Sequence, residues 1–307
     1  STRGFAENKV LTTFTTNGEG ANSNGFAVAT SDGFTVEDGT SGSNPRTATN
    51  KNSKNYVAYQ WKANGGTTSS NSDGSITTTV QANQTAGFSI VTYTSAAGGQ
   101  TIGHGLGAVP ELYIIKERST NGDDWFVYSK HIGAGKKLRL SGANAAESDT
   151  NIWQNTTPTN QIAYLQNDGG GVNQNSGGNQ NYVAYFFTPI QGYSRFGMYR
   201  GNGGTDGTFV YTGFKPAYLL TGCTSANPHG WAVFDDKKDV DNPLEFYEFV
   251  NNNSGEGSGT DRVDFLSNGF KWRQGGSSWN GDGQDFIYLA FAENPYVTSG
   301  GVPTTAR

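Results

Sequence analysis

The sequence predicts an all-β protein built from tandem repeats of an antiparallel β-sandwich, jelly-roll or lectin-like, with domains of about 100 residues. Three observations support this fold class: a composition that suits strands and turns, short apolar runs without a helical period, and phrases that recur along the chain. The 307 residues include 44 Gly, and only 34% are hydrophobic and 15% charged. Gly and Asn favour tight turns, whereas Thr, Tyr and Phe favour a half-buried pleated surface.

Charge and cysteine content exclude several classes of protein. A net charge of −5 argues against nucleic-acid binding, because phosphate contacts need clustered Lys and Arg. Cys223 is the one cysteine, so no intrachain disulfide is expected. No apolar run approaches the roughly 18 residues of a membrane helix, which argues against membrane insertion. The fold must therefore be stabilised by apolar burial and sheet hydrogen bonds.

Comparison of the chain with itself indicates internal repetition. Three pairs of residues recur at an offset of 106 positions: Tyr93 with Tyr199, Pro110 with Pro216, and Trp125 with Trp231. The strand phrase YVAYFF at 182–187 resembles FIYLAF at 286–291, and YVAYQW at 56–61 is an earlier copy. Because Trp125 and Trp231 recur, we expect each to fill the core of its own sandwich.

The repeats divide the chain into five predicted parts. These are residues 1–63, the C-terminal part of a truncated first repeat; 64–87, a Gly/Ser/Thr-rich linker; 88–190, the second repeat; 191–297, the third repeat; and 298–307, a flexible tail. The half repeat predicts a fragment or a processed product. Its exposed sheet edges predict a homo-oligomer, because unpaired edges otherwise aggregate.

Several long phrases carry a family resemblance. They are SITTTVQANQTAGFSIVTYT at 75–94, TIGHGLGAVPELYIIK at 101–116, a Trp after the NGDD turn, and NYVAYFF at 181–187. With them, the sequence resembles the repeated β-rich domain of tail-associated, fibre-like virion structural proteins of marine bacteriophages and cyanophages. The resemblance covers essentially the whole chain, and GNGGTDGTFVYTGFKPAYLL at 201–220 fits it equally well.

The resemblance implies a component of the virion, a tail fibre or appendage involved in host-surface attachment. It implies a homo-oligomer, with a trimer favoured, assembled with other virion proteins. It transfers no catalytic residue and no cofactor, so the protein is predicted to be non-enzymatic. The alternatives are a carbohydrate-binding adhesin or lectin outside a virion, and a polysaccharide-degrading tailspike.

Two residues with catalytic potential are interpreted as structural. His104 lies between glycines, and the next repeat has Thr212 in its place, which favours a turn over a catalytic base. Cys223 follows an apolar run and has no neighbouring base motif, so it is interpreted as a small buried apolar residue. No catalytic residue is predicted.

The candidate binding residues are tryptophans and loop carboxylates. Trp153 and Trp279 lie among Asn, Gln and Ser, where an indole can stack on a host surface glycan while amides bind its hydroxyls. A loop or subunit contact is the alternative. Asp235, Asp239 and Asp241 are the candidate oxygen ligands for calcium, and the alternative is a set of solvated loop charges.

Overall fold

The computed structural model describes residues 9–21, 33–36, 50, 52–63, 67–120, 122–166, 171–175, 178–239 and 241–293. This part of the chain is all-β, with several antiparallel sheets and no helix, as the sequence predicts. Within it, accordingly, no helix is long and apolar enough to cross a membrane. The predicted tail at 298–307 lies outside the described residues.

Twenty strands form in the described residues. In chain order they are β1 (Lys9–Val10), β2 (Gly20–Ala21), β3 (Ser69–Asn71), β4 (Thr78–Asn83), β5 (Phe88–Thr94), β6 (Gln100–Gly103), β7 (Leu112–Glu117), β8 (Trp125–Ser129), β9 (Lys136–Arg139), β10 (Glu147–Ser148), β11 (Ile162–Leu165), β12 (Asn181–Phe187), β13 (Ser194–Arg200), β14 (Phe209–Tyr211), β15 (Pro216–Cys223), β16 (Ala232–Asp235), β17 (Glu248–Phe249), β18 (Val263–Leu266), β19 (Gly269–Trp272) and β20 (Asp285–Ala292).

The first unit consists of a large and a small antiparallel sheet. The large sheet has the order β10-β9-β8-β7-β12-β5-β4-β3, and the small sheet pairs β11 with β6. Ile102 and Leu165 of the small sheet share an apolar cluster with Tyr113 and Tyr182 of the large sheet. Two sheets that enclose one core in this way are consistent with a β-sandwich.

The second unit has the same two-layer construction. Its large sheet has the order β13-β20-β15-β16-β17, and its small sheet has the order β14-β19-β18. Val210 and Phe270 of the small sheet share a second apolar cluster with Leu219 and Phe286 of the large sheet. This arrangement is again consistent with a β-sandwich.

The two large sheets also pack against each other. A third apolar cluster contains Leu112, Val127 and Phe187 from the first unit together with Leu220, Val233, Leu289 and Phe291 from the second. Strands at this interface are buried on both faces, which explains why β12 and β20 are nearly continuous apolar runs rather than alternating ones.

The range 64–87 is not a linker where the structure describes it. Residues 67–87 contain β3 and β4, which extend the large sheet of the first unit beyond β5. Thr78 and Val80 are both buried, because alternate residues of β4 face the core of the first unit. The Thr/Val-rich part of this range therefore follows strand propensity rather than the linker-like Gly and Ser at its start. Residues 64–66 lie outside the described part.

Candidate functional site

Trp125 and Trp231 lie at the interface between the units, not inside the individual cores. Both belong to the third apolar cluster and are only 5% and 3% exposed. The indole N–H of Trp125 donates to the carbonyl of Thr12 at 3.0 Å. The indole N–H of Trp231 donates to the carbonyl of Arg139 at 2.9 Å. The expectation of one core-filling indole per sandwich is thus corrected: each indole joins its unit to an earlier section of the chain.

The main-chain surroundings of the two tryptophans match. Four hydrogen bonds show the match: Leu140 N to Trp125 O (2.8 Å), Val250 N to Trp231 O (3.0 Å), Trp125 N to Ser141 Oγ (3.3 Å) and Trp231 N to Asn251 Oδ1 (2.8 Å). In each unit, therefore, the tryptophan bonds to two consecutive residues of the next section of chain. The two tryptophans thus make the same kinds of main-chain contact.

Residues 9–21 connect to both units. The Lys116 ammonium donates to the carbonyls of Thr16 and Asp123 at 3.1 and 2.7 Å, and burial lowers the pKa of Lys116. The hydroxyl of Thr13 donates to the carbonyl of Val250 in the second unit at 2.6 Å. These bonds, with the indole of Trp125, hold the segment where the two units meet.

Residues 52–63 add aromatic rings to the interface. Tyr59 and Trp61 lie edge-on to Tyr218, with ring centroids 4.8 and 5.4 Å apart. Trp61 also lies 5.5 Å from the ring of Phe291. The two side chains point to one side of an extended segment, as expected for residues two apart. The phrase YVAYQW therefore packs on the interface although it forms no ladder with either large sheet.

Asp235 is a buried carboxylate that protein donors already satisfy. Its Oδ2 accepts the hydroxyl hydrogen of Tyr59 at 2.6 Å and lies 3.3 Å from the ammonium of Lys238. Its Oδ1 accepts the amides of Lys237 and Lys238, both at 3.0 Å. Burial, and secondarily the bond to Asp235, raises the pKa of Tyr59. Burial also raises the pKa of Glu248, which lies 3.7 Å from Lys238.

The three calcium candidates do not form one site. Oδ2 of Asp239 accepts the amides of Glu245 and Phe246, which makes it a loop-capping residue. Asp241 is exposed. In the described residues, no three His, Cys, Asp or Glu side chains are grouped so that they could hold a metal ion. Asp235 and Asp239 thus already accept hydrogen bonds from the protein.

Trp153 is fully buried in the core of the first unit. Its exposed fraction is 0%, and its ring lies edge-on to Tyr113 and Tyr128 at 5.0 and 5.9 Å. Its indole N–H donates to the carbonyl of Lys136 at 2.9 Å. A stacking sugar needs an open ring face, and this residue offers none, so the expected glycan contact is corrected to a core contact.

Trp279 lies in the core of the second unit. It is 5% exposed and lies edge-on to Phe234 at 5.8 Å and stacked on Trp272 at 6.4 Å. The guanidinium of Arg262 covers the ring, 4.6 Å from its centroid. This ring also lacks an open face, and the glycan expectation is corrected in the same way. The polar neighbours in its sequence belong to the turn that directs the ring inward.

His104 and Cys223 have structural surroundings. The Nδ1 of His104 accepts the amide of Leu106 at 3.3 Å, and its Nε2 lies 3.2 Å from the carbonyl of Thr159. Burial lowers the pKa of His104. The Sγ of the buried Cys223 lies 3.8 Å from Oε1 of Gln284. Neither side chain has a hydrogen-bonded nucleophile–base partner of the kind acyl transfer requires.

A shallow cavity of about 360 Å³ opens between the units. Its lining includes His131 and Lys136 from the first unit and Met198 and Asp285 from the second. Asp285 lies 3.4 Å from the guanidinium of Arg200, so its charge is partly neutralised.

One family model matches almost the whole chain. The model for the domain of unknown function DUF7483 covers residues 1–295. The chain belongs to the DUF7483 family. Neither the curated proteins nor the solved structures contain a match. The match to DUF7483 covers both two-sheet units and the residues before them.

Sequence reasoning missed the residues that join the parts of this DUF7483 chain. The carbonyls of Thr12 and Arg139 carry no side-chain signal, because any residue supplies a main-chain acceptor. A signal was nevertheless present: VLTT at 10–13 can be aligned with KLRL at 137–140, which places Thr12 opposite Arg139. If the carbonyl of Arg139 is known to accept the indole hydrogen bond of Trp231, this alignment predicts that the carbonyl of Thr12 accepts that of Trp125.

Proposed function

We propose that this protein is a non-enzymatic structural component of a phage particle, a tail fibre or appendage that takes part in attachment to the host surface. The observation that carries the proposal is the pair of interface indoles. Trp125 and Trp231 each reach from one section of chain to a carbonyl of an earlier section. Recurrent aromatic residues are thus used to fix modules against one another, as a rigid scaffold requires.

Tandem repetition of one sandwich is part of this proposal. The strand order β8-β7-β12-β5 of the first unit corresponds to β16-β15-β20-β13 of the second. Tyr93 stacks on Tyr182 at 5.0 Å in the first unit, and Tyr199 stacks on Phe286 at 5.2 Å in the second. These rings lie on corresponding strands. The correspondence supports two copies of one module.

A third copy explains how the preceding residues pack. Trp61, Phe187 and Phe291 are equivalent in the recurring phrases, and they meet in the interface. The ring of Phe291 lies 5.5 Å from that of Trp61 and 6.3 Å from that of Phe187. Thr12 and Arg139 both accept an indole hydrogen bond. We infer three modules arranged around a shared core, the first represented by residues 9–21 and 52–63.

The surroundings of His104, Cys223 and Asp235 support a non-enzymatic role. His104 and Asp235 are engaged by main-chain groups or by neighbouring side chains, and Cys223 is buried. A structural function does not require these side chains to take part in a reaction.

The assignment to a phage particle rests on the resemblance of residues 75–94 and 101–116 to tail-associated proteins. Its partners are other virion proteins, further copies of the chain and a host surface glycan. With a trimer favoured, light scattering is expected to return three times the chain mass of 32.7 kDa. A folded monomer at all concentrations contradicts this part of the proposal.

The proposal is tested on particles released from cells that carry the coding sequence. Mass spectrometry and immunogold labelling should find the chain in purified particles, and the recombinant protein should reduce particle adsorption to the host. Absence from the particles overturns the virion assignment and, with binding on a glycan array, favours the adhesin. Release of reducing ends from host polysaccharide favours the tailspike.

A further inference from the structure

The second unit presents an edge strand with two exposed aromatic side chains. Strand β14 is at the edge of its small sheet, in the order β14-β19-β18. Phe209 and Tyr211 are 44% and 59% exposed, whereas Val210 between them is buried in the core. Edge strands offer unpaired main-chain groups to other polypeptides, and proteins usually protect them.

The main-chain groups of Phe209 and Tyr211 point away from the sheet. The amide of Thr212 donates to the carbonyl of Asn268 at 3.0 Å, so even-numbered residues bond towards β19. In an antiparallel pair the alternate residues then turn their N–H and C=O outward. In the part of the chain that the structure describes, nothing outside the sheet hydrogen bonds to these groups of residues 209 and 211.

Strand β6 holds the corresponding edge position in the first unit. Ile102 of β6 enters its core as Val210 does in β14. Each strand is followed by a glycine in the left-handed region, Gly105 with φ 71° and Gly213 with φ 87°. Thr101 and Gly103 of β6 therefore correspond to the two exposed aromatic positions of β14.

At β6 the edge is filled by residues 75–78 of the same chain. Four hydrogen bonds hold them: Ile76 N to Thr101 O (3.0 Å), Ser75 N to Thr101 Oγ1 (2.8 Å), Thr101 N to Ser75 Oγ (2.8 Å) and Thr78 Oγ1 to Gly103 O (3.1 Å). Ile76 and Ile102 form a parallel bridge. The first unit thus shows which groups can pair with such an edge: hydroxyl side chains and the main-chain amide of an apolar residue.

The connection before the second unit is too short to fill its edge. The chain enters β5 after β3 and β4. Residues 75–77 lie between these two strands, and Thr78 is the first residue of β4. It enters β13 directly from β12 through residues 188–193, which turn back on themselves where the amide of Ser194 donates to the carbonyl of Ile190. No part of this connection reaches β14.

We propose that the edge of β14 is a docking site for an extended segment of a partner polypeptide, added in parallel as residues 75–78 are added at β6. A hydroxyl residue of the partner accepts the amide of Phe209, as Ser75 does for Thr101. A β-branched apolar residue lies beside Val210, as Ile76 lies beside Ile102.

The two edges differ most at Gly103 and its counterpart Tyr211. In the first unit the side chain of Asn71 lies so close to Gly103 that a Cβ there would be 1.7 Å from its Oδ1. At β14 the Tyr211 side chain takes that space. The exposed rings then pack on the incoming segment and provide the side-chain selectivity that strand addition needs. This site does not depend on the virion assignment.

The probe is a capped peptide with the sequence of residues 74–80, GSITTTV, added at millimolar concentration to the full chain. Hydrogen exchange and amide NMR shifts are measured at residues 209, 210 and 211. We expect protection at 209 and 211 but none gained at 210, because the amide of Val210 already faces β19. The amides of Thr101 and Gly103 should stay unchanged, since their edge is occupied.

Two variants separate strand addition from ring stacking. Tyr211→Pro removes the ring and the outward N–H, whereas Tyr211→Ala removes the ring alone; neither disturbs a bond to β19. We expect the proline variant to bind the peptide roughly five- to tenfold more weakly than the alanine variant, the effect of one lost main-chain hydrogen bond.

Three results would overturn the proposal. One is the absence of protection at 209 and 211 in the wild-type protein, which needs no variant to fold. Another is protection by an oligosaccharide but not by the peptide, with equal losses for both variants, which identifies a glycan platform. The third is concentration-dependent protection without any peptide, which identifies a second copy of the chain as the occupant.

Discussion

The indole N–H of Trp231 donates to the main-chain carbonyl of Arg139 at 2.9 Å, across the interface between the two units. The side chain of Arg139 holds that carbonyl in place, because its guanidinium forms a two-point ion pair with Glu147 and also contacts Asp124. The ion pairs on β9 thus orient the acceptor for an indole of the neighbouring unit. Charged side chains thus help to hold a main-chain acceptor in position for the interface.

The two interface tryptophans should be equally important for stability. We expect Trp231→Ala and Trp125→Ala each to lower the free energy of unfolding by roughly 3–5 kcal/mol, through lost apolar contacts and a cavity. Phenylalanine variants keep a ring but leave a carbonyl without its donor, which costs roughly 1–3 kcal/mol. Urea denaturation measures both series. A large effect at one tryptophan with none at the other contradicts their equivalence.

Tyr59 should stabilise the docking of residues 52–63. Tyr59→Phe removes the donor to Oδ2 of the buried Asp235 and should lower the free energy of unfolding by roughly 1–3 kcal/mol. Tyr211→Phe is the matched control, since that ring is 59% exposed and its hydroxyl can bond to water in both states. Equal stability of the two variants in thermal denaturation argues against a role for the Tyr59 hydroxyl.

The stabilising contribution of Glu111 to the fold should be lost in acid. The imidazole of His131, 3.8 Å from Oε2, and the ammonium of Lys130, 2.8 Å from Oε1, lower the pKa of Glu111 to about 2 in the folded state. A depressed carboxyl pKa stabilises the fold above the unfolded value of 4.5, and this contribution disappears as pH falls towards 2. The difference in melting temperature between wild type and Glu111→Gln should therefore shrink over this range. A constant difference contradicts the assignment.

Glu248 provides a control of opposite sign. Burial raises the pKa of Glu248, so its ionisation opposes folding, and the penalty grows as pH rises through the folded pKa. Glu248→Gln should be at least as stable as wild type at neutral pH and should lose that advantage in acid. Its nearest cation, Lys238, also pairs with Asp235 and remains neutralised in the variant.

Calcium should have no effect on stability through the loop that contains Asp235. Both carboxylate oxygens of Asp235 already accept hydrogen bonds, and a cation would have to displace Tyr59 or the amides of Lys237 and Lys238. We expect the same melting temperature in EDTA and in excess Ca²⁺. If Ca²⁺ raises the melting temperature and Asp239→Asn abolishes that rise, the loop binds calcium after all.

The sequence predicts where the strands lie better than it predicts which core each face of a strand enters. The all-β class follows from composition, and the recurrence of Trp125 and Trp231 in the sequence predicts that their main-chain contacts match. The alternation of β12 also predicts two sets of side chains, one with Tyr182 and one with Phe187. Because both faces of this strand are buried, periodicity cannot tell which set lies inside the sandwich and which between units. All five residues of β8 are buried as well, so the sequence predicts the wrong core for Trp125 for the same reason.

Local polarity misled the predictions for Trp153 and for β4. Asn and Gln beside Trp153 predict exposure, but the turn at 151–155 directs the indole inward and leaves its neighbours nearer the surface. The Ser and Gly at 67–74 predict a linker, whereas pairing with β5 makes Val80 part of the core. In both places, tertiary burial outweighs the composition of the short window around the residue.

The claim that the units share one core is tested most directly by hydrogen exchange of β12 and β20 in wild type and in Trp231→Ala. Strand β12 lies between β7 and β5 in the first large sheet, β20 lies between β13 and β15 in the second, and both contribute to the interface. A shared core predicts that the variant accelerates exchange in both strands together, although Trp231 belongs to the second unit alone. Faster exchange confined to β20, with β12 unchanged, would contradict it.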